Sequence, residues 1–153
     1  MIDRNIIGYI ENGVVVDHIP VGRVWEVARI LRVDRLERAR VSLGDGYDSA
    51  KINKKGILKV EGRTLSEREI DLIALLAPEA SVSFIRGGRV ERKKKVHIPE
   101  QLEGVVCCAN SNCITNEAGE KVPYKISYRN GVFTCHYCEY EFDMNELKLN
   151  LGS

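Results

Sequence analysis

The sequence predicts an α+β fold in two domains, an α/β sandwich over residues 1–98 and a small all-β domain over residues 99–153. Three observations carry that prediction. Strand-like and helix-like apolar periods alternate through the first hundred residues. All the cysteines lie beyond them, as Cys107, Cys108, Cys113, Cys135 and Cys138. Between the two stretches stands His97-Ile98-Pro99-Glu100, where the composition changes. The chain has 153 residues, enough for one domain or two small ones. Its hydrophobic share of 44% suits globular cores rather than general disorder.

In the first domain, residues 5–10 and 14–18 read as strands around Glu11-Asn12-Gly13, because Asn-Gly is a strong hairpin signal. Pro20 and Gly22 open an amphipathic helix in which Val24, Val27, Ala28 and Leu31 share one face. Trp25 falls off that stripe and is expected to pack outside the domain's own core. Residues 39–43 read as a short strand, the Gly/Asp-rich residues 44–49 as a loop, and residues 57–60 as the next strand. Ser66 and Glu69 have the spacing of a capping box. The helix they open runs over Ile70, Ile73, Ala74 and Ala77 until Pro78 stops it. Residues 81–85 and 89–96 read as strands around Gly87-Gly88. The order is β-β-α-β-β-α-β-β. Two helices on one face of an antiparallel sheet make a ferredoxin-like sandwich with an added hairpin strand.

The second domain is too small to hold a core without a staple. Residues 125–128 and 132–135 flank Arg129-Asn130-Gly131, another Asn-Gly hairpin. Asp143 and Glu146 are expected to cap a short helix over residues 144–149. The staple is read from the cysteines. Cys108 and Cys113 are a Cys-x4-Cys pair, and Cys135 and Cys138 a Cys-x2-Cys pair. Two such pairs on tight turns clamp one Zn²⁺ between four thiolates, one ion per chain. The set is closed, leaves no open coordination position, and is structural rather than hydrolytic. Two disulfides are the alternative, but they belong to oxidising compartments. Cys107 sits in an apolar run and reads as a buried small hydrophobe, with exchange for Cys108 as a ligand left open.

The formal charge is +1. Zn²⁺ with four thiolates contributes −2, leaving the loaded chain near −1. Long-range attraction to nucleic acid or an anionic membrane is therefore small. The first ten residues carry Asp3 and Arg4 and no long apolar run, so neither a signal peptide nor a membrane anchor is expected, and a cytoplasmic location is. A local basic cluster exists at Arg89, Arg92, Lys93, Lys94 and Lys95. Its bland reading is an edge strand protected by lysine; its functional one is neutralisation of a triphosphate. Lys59 is expected on the sheet face opposite its apolar neighbours, where it is either simply solvated or a ligand. Asp17 and His18 stand at a strand end, where a solvated turn competes with recognition of a sugar or base. No P-loop and no Gly-x-Gly-x-x-Gly is present. His18, His97 and His136 are dispersed, and no nucleophile or metalloprotease motif occurs. A nucleic-acid-binding zinc ribbon is the competing reading. Tyr124, Tyr128, Phe133, Tyr137, Tyr140 and Phe142 offer stacking, yet Glu117, Glu120, Glu139, Glu141, Asp143 and Glu146 make that module acidic.

Two stretches carry a family resemblance. Gly13-Val14-Val15-Val16-Asp17-His18-Ile19-Pro20 resembles the Val-Ile-Asp-His-Ile-Pro segment of the aspartate carbamoyltransferase regulatory chain. Cys108-Ala109-Asn110-Ser111-Asn112-Cys113 resembles that family's Cys-Pro-Asn-Ser-Asn-Cys loop, and Cys135-His136-Tyr137-Cys138-Glu139 its Cys-x-Tyr-Cys-Glu loop. Leu58-Lys59-Val60-Glu61 and Ile73-Ala74-Leu75-Leu76-Ala77-Pro78 are also similar.

The resemblance implies a non-catalytic regulatory subunit in pyrimidine biosynthesis. Its first domain would bind nucleoside triphosphates, CTP and ATP with UTP as a third candidate. Its zinc domain would dock on the catalytic chain, and regulatory dimers would bridge catalytic trimers. It further implies nucleotide contacts at Asp17, His18, Lys59 and Lys93, a lining from Ile10, Val15, Ile85 and Val90, and partner contacts at Asn110, Asn112 and Glu139. Nucleic acid and membrane are not expected partners. Three departures stand out: Ala109 replaces a Pro, Ser83 stands where an Asn is frequent, and Gly88 where a Tyr is frequent. They leave effector preference open.

Overall fold

Strand β1, Gly13–Pro20, is the centre of the first unit because both its edges are paired. Val14, Val16 and Ile19 are fully buried, while the residues between them face the other way. The computed structural model describes residues 9–35, 40–49 and 53–151. The chain divides into two compact units, Met1–His97 and Ile98–Ser153.

The first unit continues with helix α1 (Val24–Ile30), β2 (Val41–Ser49), β3 (Asn53–Glu61), helix α2 (Glu67–Leu76), β4 (Ser81–Arg86) and β5 (Arg89–Lys95). The five strands form one sheet in the order β2-β3-β1-β4-β5, with every neighbouring pair antiparallel. Leu58, Val60 and Val82 join the buried side of β1. Val24, Val27, Ala28 and Leu31 of α1 and Ile70, Leu72, Ile73 and Ala74 of α2 are buried as well. The helices therefore cover one sheet face, and the expected apolar stripes are the ones buried. Trp25 is 64% exposed.

Helix α2 starts where its capping box predicts. The Ser66 side chain accepts from the Glu69 N–H at 3.2 Å, and Glu69 Oε1 accepts from the Ser66 N–H at 2.9 Å. Arg63 pairs with Glu69 and also donates to the Leu31 carbonyl at 3.1 Å. One guanidinium thus ties the end of α1 to the start of α2.

Two expectations for this unit need revision. Residues 5–8 of the first expected strand lie outside the described residues, and Tyr9 and Ile10 belong to no strand. Asn12-Gly13 does not turn a hairpin among the described residues. Instead the Asn12 carbonyl accepts from the Gly62 N–H at 2.7 Å and its side chain from the Gly87 N–H at 3.2 Å, so Asn12 links the ends of the two strands that flank β1. The second revision is at residues 44–49. They are strand rather than loop, for β2 runs on to pair Tyr47 with Lys55 and Asp48 with Lys54. A register shift between Gly44 and Tyr47 absorbs the glycine. Residue 39, expected at the start of that strand, lies outside the described residues.

The second unit is a four-stranded antiparallel sheet in the order β6-β7-β8-β9, with β6 Gln101–Glu103, β7 Lys125–Arg129, β8 Val132–Cys135 and β9 Glu141–Phe142. The β7–β8 hairpin turns at Asn130 (φ 51°) and Gly131 (φ 84°), as Asn-Gly predicts. Leu102, Ile126, Phe133 and Phe142 form its core. The expected terminal helix is a single 3-10 turn, Met144–Glu146, although Asp143 does cap it by accepting from the Asn145 N–H. The chain beyond pairs like a strand. Leu149 bridges Val106, the Cys107 N–H donates to the Lys148 carbonyl, and the Asn150 N–H donates to the Val105 carbonyl. Backbone groups that a helix would have paired internally are used to hold this segment against the cysteine run.

Candidate metal centre and open sheet face

Cys108 and Cys113 border the loop after β6, Cys135 ends β8, and Cys138 lies in the turn before β9. Their four sulfurs all lie within 4.8 Å of one another. Cys108 Sγ is 3.6 Å from Cys138 Sγ, and Cys113 Sγ is 3.7 Å from Cys135 Sγ. A tetrahedron with metal–sulfur bonds of about 2.3 Å has edges of about 3.8 Å. Two edges of the cluster match that length and the other four are no longer than 4.8 Å, so the four thiols suit a tetrahedral metal ion. Cys107 and His136 are not in this set. Cys107 is buried, and His136 is exposed with its ring edge-on to Tyr137.

Polar groups fix the loops that carry the sulfurs. Thr115 Oγ1 donates to Cys113 Sγ at 3.1 Å. Asn116 Nδ2 donates to the carbonyls of Cys108 and Asn110 at 2.9 and 2.8 Å, and Tyr124 donates to Asn116 Oδ1 at 2.7 Å. Glu139 takes φ 61°, closing the second turn while its N–H donates to the Cys135 carbonyl. Sequence reasoning missed this second layer, and only the nearness of Thr115 and Asn116 to Cys113 hinted at it. Burial pushes the Cys108 and Cys135 thiols up. Burial also raises Cys138, but the Tyr140 N–H and the Asn110 side chain outweigh it and bring that thiol to about 7. A cation at the centre removes the cost of ionising all four. Asn110 is half-buried, while Asn112 and Glu139 are exposed beside the ligands.

The aromatic residues of this unit divide by burial. Phe133 and Phe142 are in the core, stacked with centroids 5.3 Å apart, and Tyr128 packs on Phe133 at 4.8 Å. Tyr137 and Tyr140 are exposed.

In the first unit, some of the residues singled out in the sequence, Lys59, Val15, Ser83 and Lys93, share the sheet face away from the helices. Register places Lys59 opposite Val15, Val15 opposite Ser83, and Ser83 opposite Lys93. These four residues form one row across β3, β1, β4 and β5. Their neighbours in sequence confirm the alternation. Lys94 reaches Glu67 on α2 at 3.7 Å, and Arg92 lies over the Phe84 ring at 4.3 Å, both on the helix side. Lys95 pairs with Glu79 at 3.3 Å. Among the described residues, no carboxylate pairs with Lys59 or Lys93.

Asp17 lies two residues along from the row, where β1 bulges between Val16 and Ile19. The bulge puts His18 at φ 60° and turns Ile19 back into the core. The His18 N–H donates to Asp17 Oδ1 at 2.6 Å, and the His18 ring lies 3.4 Å from Ser81 Oγ. Lys55 pairs with Asp17 at 2.9 Å. Burial pushes the Asp17 carboxyl up, but hydrogen bonds from Lys55 and the His18 N–H outweigh it and hold the group below its usual range. Lys55 was missed in the sequence, where it falls between the expected loop at residues 44–49 and the expected strand at residues 57–60. Towards the other end of the sheet, Ile85 is opposite Val90. Ile10, just before β1, is buried.

Fold and sites together define a two-domain protein with an open basic sheet face and a closed, all-sulfur metal site. Residues 5–97 match the family described as "Aspartate carbamoyltransferase regulatory chain, allosteric domain", and residues 100–148 match "Aspartate carbamoyltransferase regulatory chain, metal binding domain". Aspartate carbamoyltransferase regulatory chains from Pyrococcus abyssi and Pyrococcus horikoshii are each 41% identical over 144 residues, covering 93% of this chain and 95% of the relative. The one from Pyrobaculum arsenaticum is 39% identical over 145 residues, covering 93% of this chain and 96% of the relative. The chain belongs to the family of aspartate carbamoyltransferase regulatory chains, which are non-catalytic subunits with an allosteric domain and a metal-binding domain. A regulatory chain acts on a catalytic-chain partner. Among the described residues, no helix is long and apolar enough to cross a membrane.

Proposed function

We propose that residues 1–98 bind nucleoside triphosphates, CTP and ATP with UTP as a third candidate, on the open sheet face, and that residues 99–153 carry a structural Zn²⁺ and dock on the catalytic chain. The first domain is read as ferredoxin-like, which the strand order β2-β3-β1-β4 with β5 added at the edge supports. The observation that carries the proposal is the row Lys59–Val15–Ser83–Lys93. It sets two ammonium groups, with no carboxylate partner among the described residues, on either side of a small, uncharged strip. That arrangement suits a polyphosphate lying across β1 and β4. Lys55 is a third cation close by. When its ammonium moves to a phosphate, the Asp17 carboxylate is free to accept from ribose hydroxyls. Ile85 and Val90 supply apolar surface for the base, Val15 lies under the phosphates between the lysines, the buried Ile10 is read as backing the pocket, and His18 stands at the edge of the bulge.

Zinc is the metal of choice for four thiolates in a tetrahedron. Asn110, Asn112 and Glu139, beside the metal ligands, are read as contacts with the catalytic chain. The wider assembly is read as regulatory dimers bridging catalytic trimers in the cytoplasm, within pyrimidine biosynthesis. The nucleotide then acts at a distance, through a change in how the subunits are arranged.

Calorimetric titration of the zinc-loaded chain with CTP and with ATP tests the site. Lys59→Ala and Lys93→Ala should each weaken both nucleotides ten- to a hundredfold, since a charged hydrogen bond contributes about 1.5–3 kcal/mol. Unchanged affinity in both variants removes the open face from consideration.

A further inference from the structure

We propose that the Tyr9 hydroxyl reads the base of the bound nucleotide and so sets this chain's effector preference. This rests on the nucleotide site argued above and adds a residue that the sequence did not single out. A Cβ built on Gly88 would lie 3.3 Å from Tyr9 Cζ and 3.4 Å from Cε1, and closer still to the phenol oxygen. The ring of Tyr9 thus fills the space that a side chain at position 88 would take. Gly88 has φ 77°, so a larger residue there carries backbone strain and has to displace the ring. The Gly88 N–H donates to the Glu11 carbonyl at 2.9 Å, which fastens the segment bearing Tyr9 to the β4–β5 turn.

The position along the sheet gives this contact its meaning. The lysine row crosses β4 at Ser83, and the turn at Gly88 is five residues further on. At about 3.3 Å per residue that is roughly 16 Å, an upper bound comparable to an extended nucleoside triphosphate. Between them lie Ile85 and Val90, with Ile10 beside Tyr9. A ligand with its phosphates on Lys59 and Lys93 and its flat, apolar end on Ile85 and Val90 points its base at Tyr9. Tyr9 is 37% exposed, and its hydroxyl has no partner among the described residues. Asn12 at the same end already uses its side-chain oxygen on the Gly87 N–H. The phenol can donate to a carbonyl or ring nitrogen or accept from an exocyclic amine, and bases that present these groups at different places on their edges meet the fixed hydroxyl unequally. A contact of that kind discriminates between bases and ignores phosphates.

The test is calorimetry on the full-length, zinc-loaded chain with three probes: CTP, ATP and inorganic tripolyphosphate. Tyr9→Phe removes one oxygen and keeps the ring. It should shift the ratio of CTP to ATP affinity about three- to tenfold, the size of one hydrogen bond, and leave tripolyphosphate binding unchanged. Gly88→Ala, which displaces the ring, should shift the ratio in the same direction. Lys59→Ala should weaken all three probes. An unshifted ratio in Tyr9→Phe, with Lys59→Ala still lowering every affinity, overturns the role of Tyr9 and leaves the site standing. A loss of tripolyphosphate binding in Tyr9→Phe equal to the loss of nucleotide also overturns it, because the residue is then not reading the base. If Lys59→Ala changes none of the three affinities, the site reading fails and the inference falls with it.

Discussion

The two units of this chain hold themselves together by different means. The first buries α1 and α2 against a five-stranded sheet, with Val14, Val16, Val24, Val27, Leu58 and Ile73 completely enclosed. The second has four short strands, one of them only Glu141–Phe142, and a core of a few side chains around Phe133. It carries its four thiols as a cluster instead. A domain of that size buries too little apolar surface to offset its chain entropy, and a metal supplies the difference. The first unit can therefore leave one sheet face open for a ligand. The second has its most organised chemistry committed to its own fold.

The difference is broken most severely by taking the metal away. Chelation, or Cys138→Ser, should unfold the second unit and leave the first intact, because metal binding and folding are one equilibrium there, with apparent values of about 10–16 kcal/mol for structural zinc. Loss of the Val105–Leu149 segment's amide protection, with that of β1 and β3 retained in hydrogen exchange, is the expected pattern. The mirror experiment is Leu58→Ala. It should cost the first unit about 2–5 kcal/mol and leave the metal content of the chain unchanged by atomic absorption. A common loss in either experiment would mean that the units fold as one.

What could be read in the sequence differs between the units for the same reason. Helix α2 was legible from Ser66, Glu69 and the stripe of Ile70 and Ile73, since capping and periodicity are local. The cysteine spacing was equally legible, because a tetrahedral site demands paired ligands. The extension of β2 through Gly44–Ser49 was not. Its glycines and aspartates read as loop, and only pairing with β3, a tertiary effect, makes them strand. The terminal segment failed in the same way: Met144 onwards has a cap and apolar residues, but Leu149 is drawn to Val106. At the candidate nucleotide site the row was half visible. Lys59 and Lys93 stood out by charge, but their alignment through Val15 and Ser83 depends on register, and the pairing of Lys55 with Asp17 depends on a bulge. Tyr9 gave no signal, because its contact is with a glycine turn far along the chain.

A smaller effect tests how the first unit is tied. Burial pushes the Glu69 carboxyl up, but the Ser66 N–H and the Arg63 guanidinium hold it below its usual range. Its stabilising contribution is therefore present above the ordinary carboxylate range and lost as pH falls through the lowered folded value. Glu69→Gln should destabilise this unit by about 1 kcal/mol at pH 7. The gap to the unsubstituted chain should close below about pH 4. Asp17→Asn should follow the same direction, through the loss of Lys55. Denaturant titrations at pH 7 and pH 3 measure both. A gap that persists at acid pH would show that geometry rather than charge ties these positions.

The smallest effect on either unit, and the sharpest test of their separateness, is expected at the junction. Lys93 lies on β5, which ends at Lys95, and the second unit begins at Ile98. Only Val96 and His97 intervene, and the Val96 N–H is held by the Ala80 carbonyl at 3.1 Å. On the proposed reading, a phosphate drawing on Lys93 would therefore act on a strand that runs within two residues of the metal-stapled unit. Two or three glycines inserted between His97 and Ile98 lengthen that link and touch neither core. Nucleotide affinity, metal content and the unfolding midpoint of each unit should all stay as they are. What should shrink is the response of the assembled enzyme's aspartate saturation curve to CTP or ATP, a coupling of about 1–3 kcal/mol. If the insertion variant assembles with catalytic chains and responds in full, the strand is not the route, and the signal passes through contacts between regulatory chains instead.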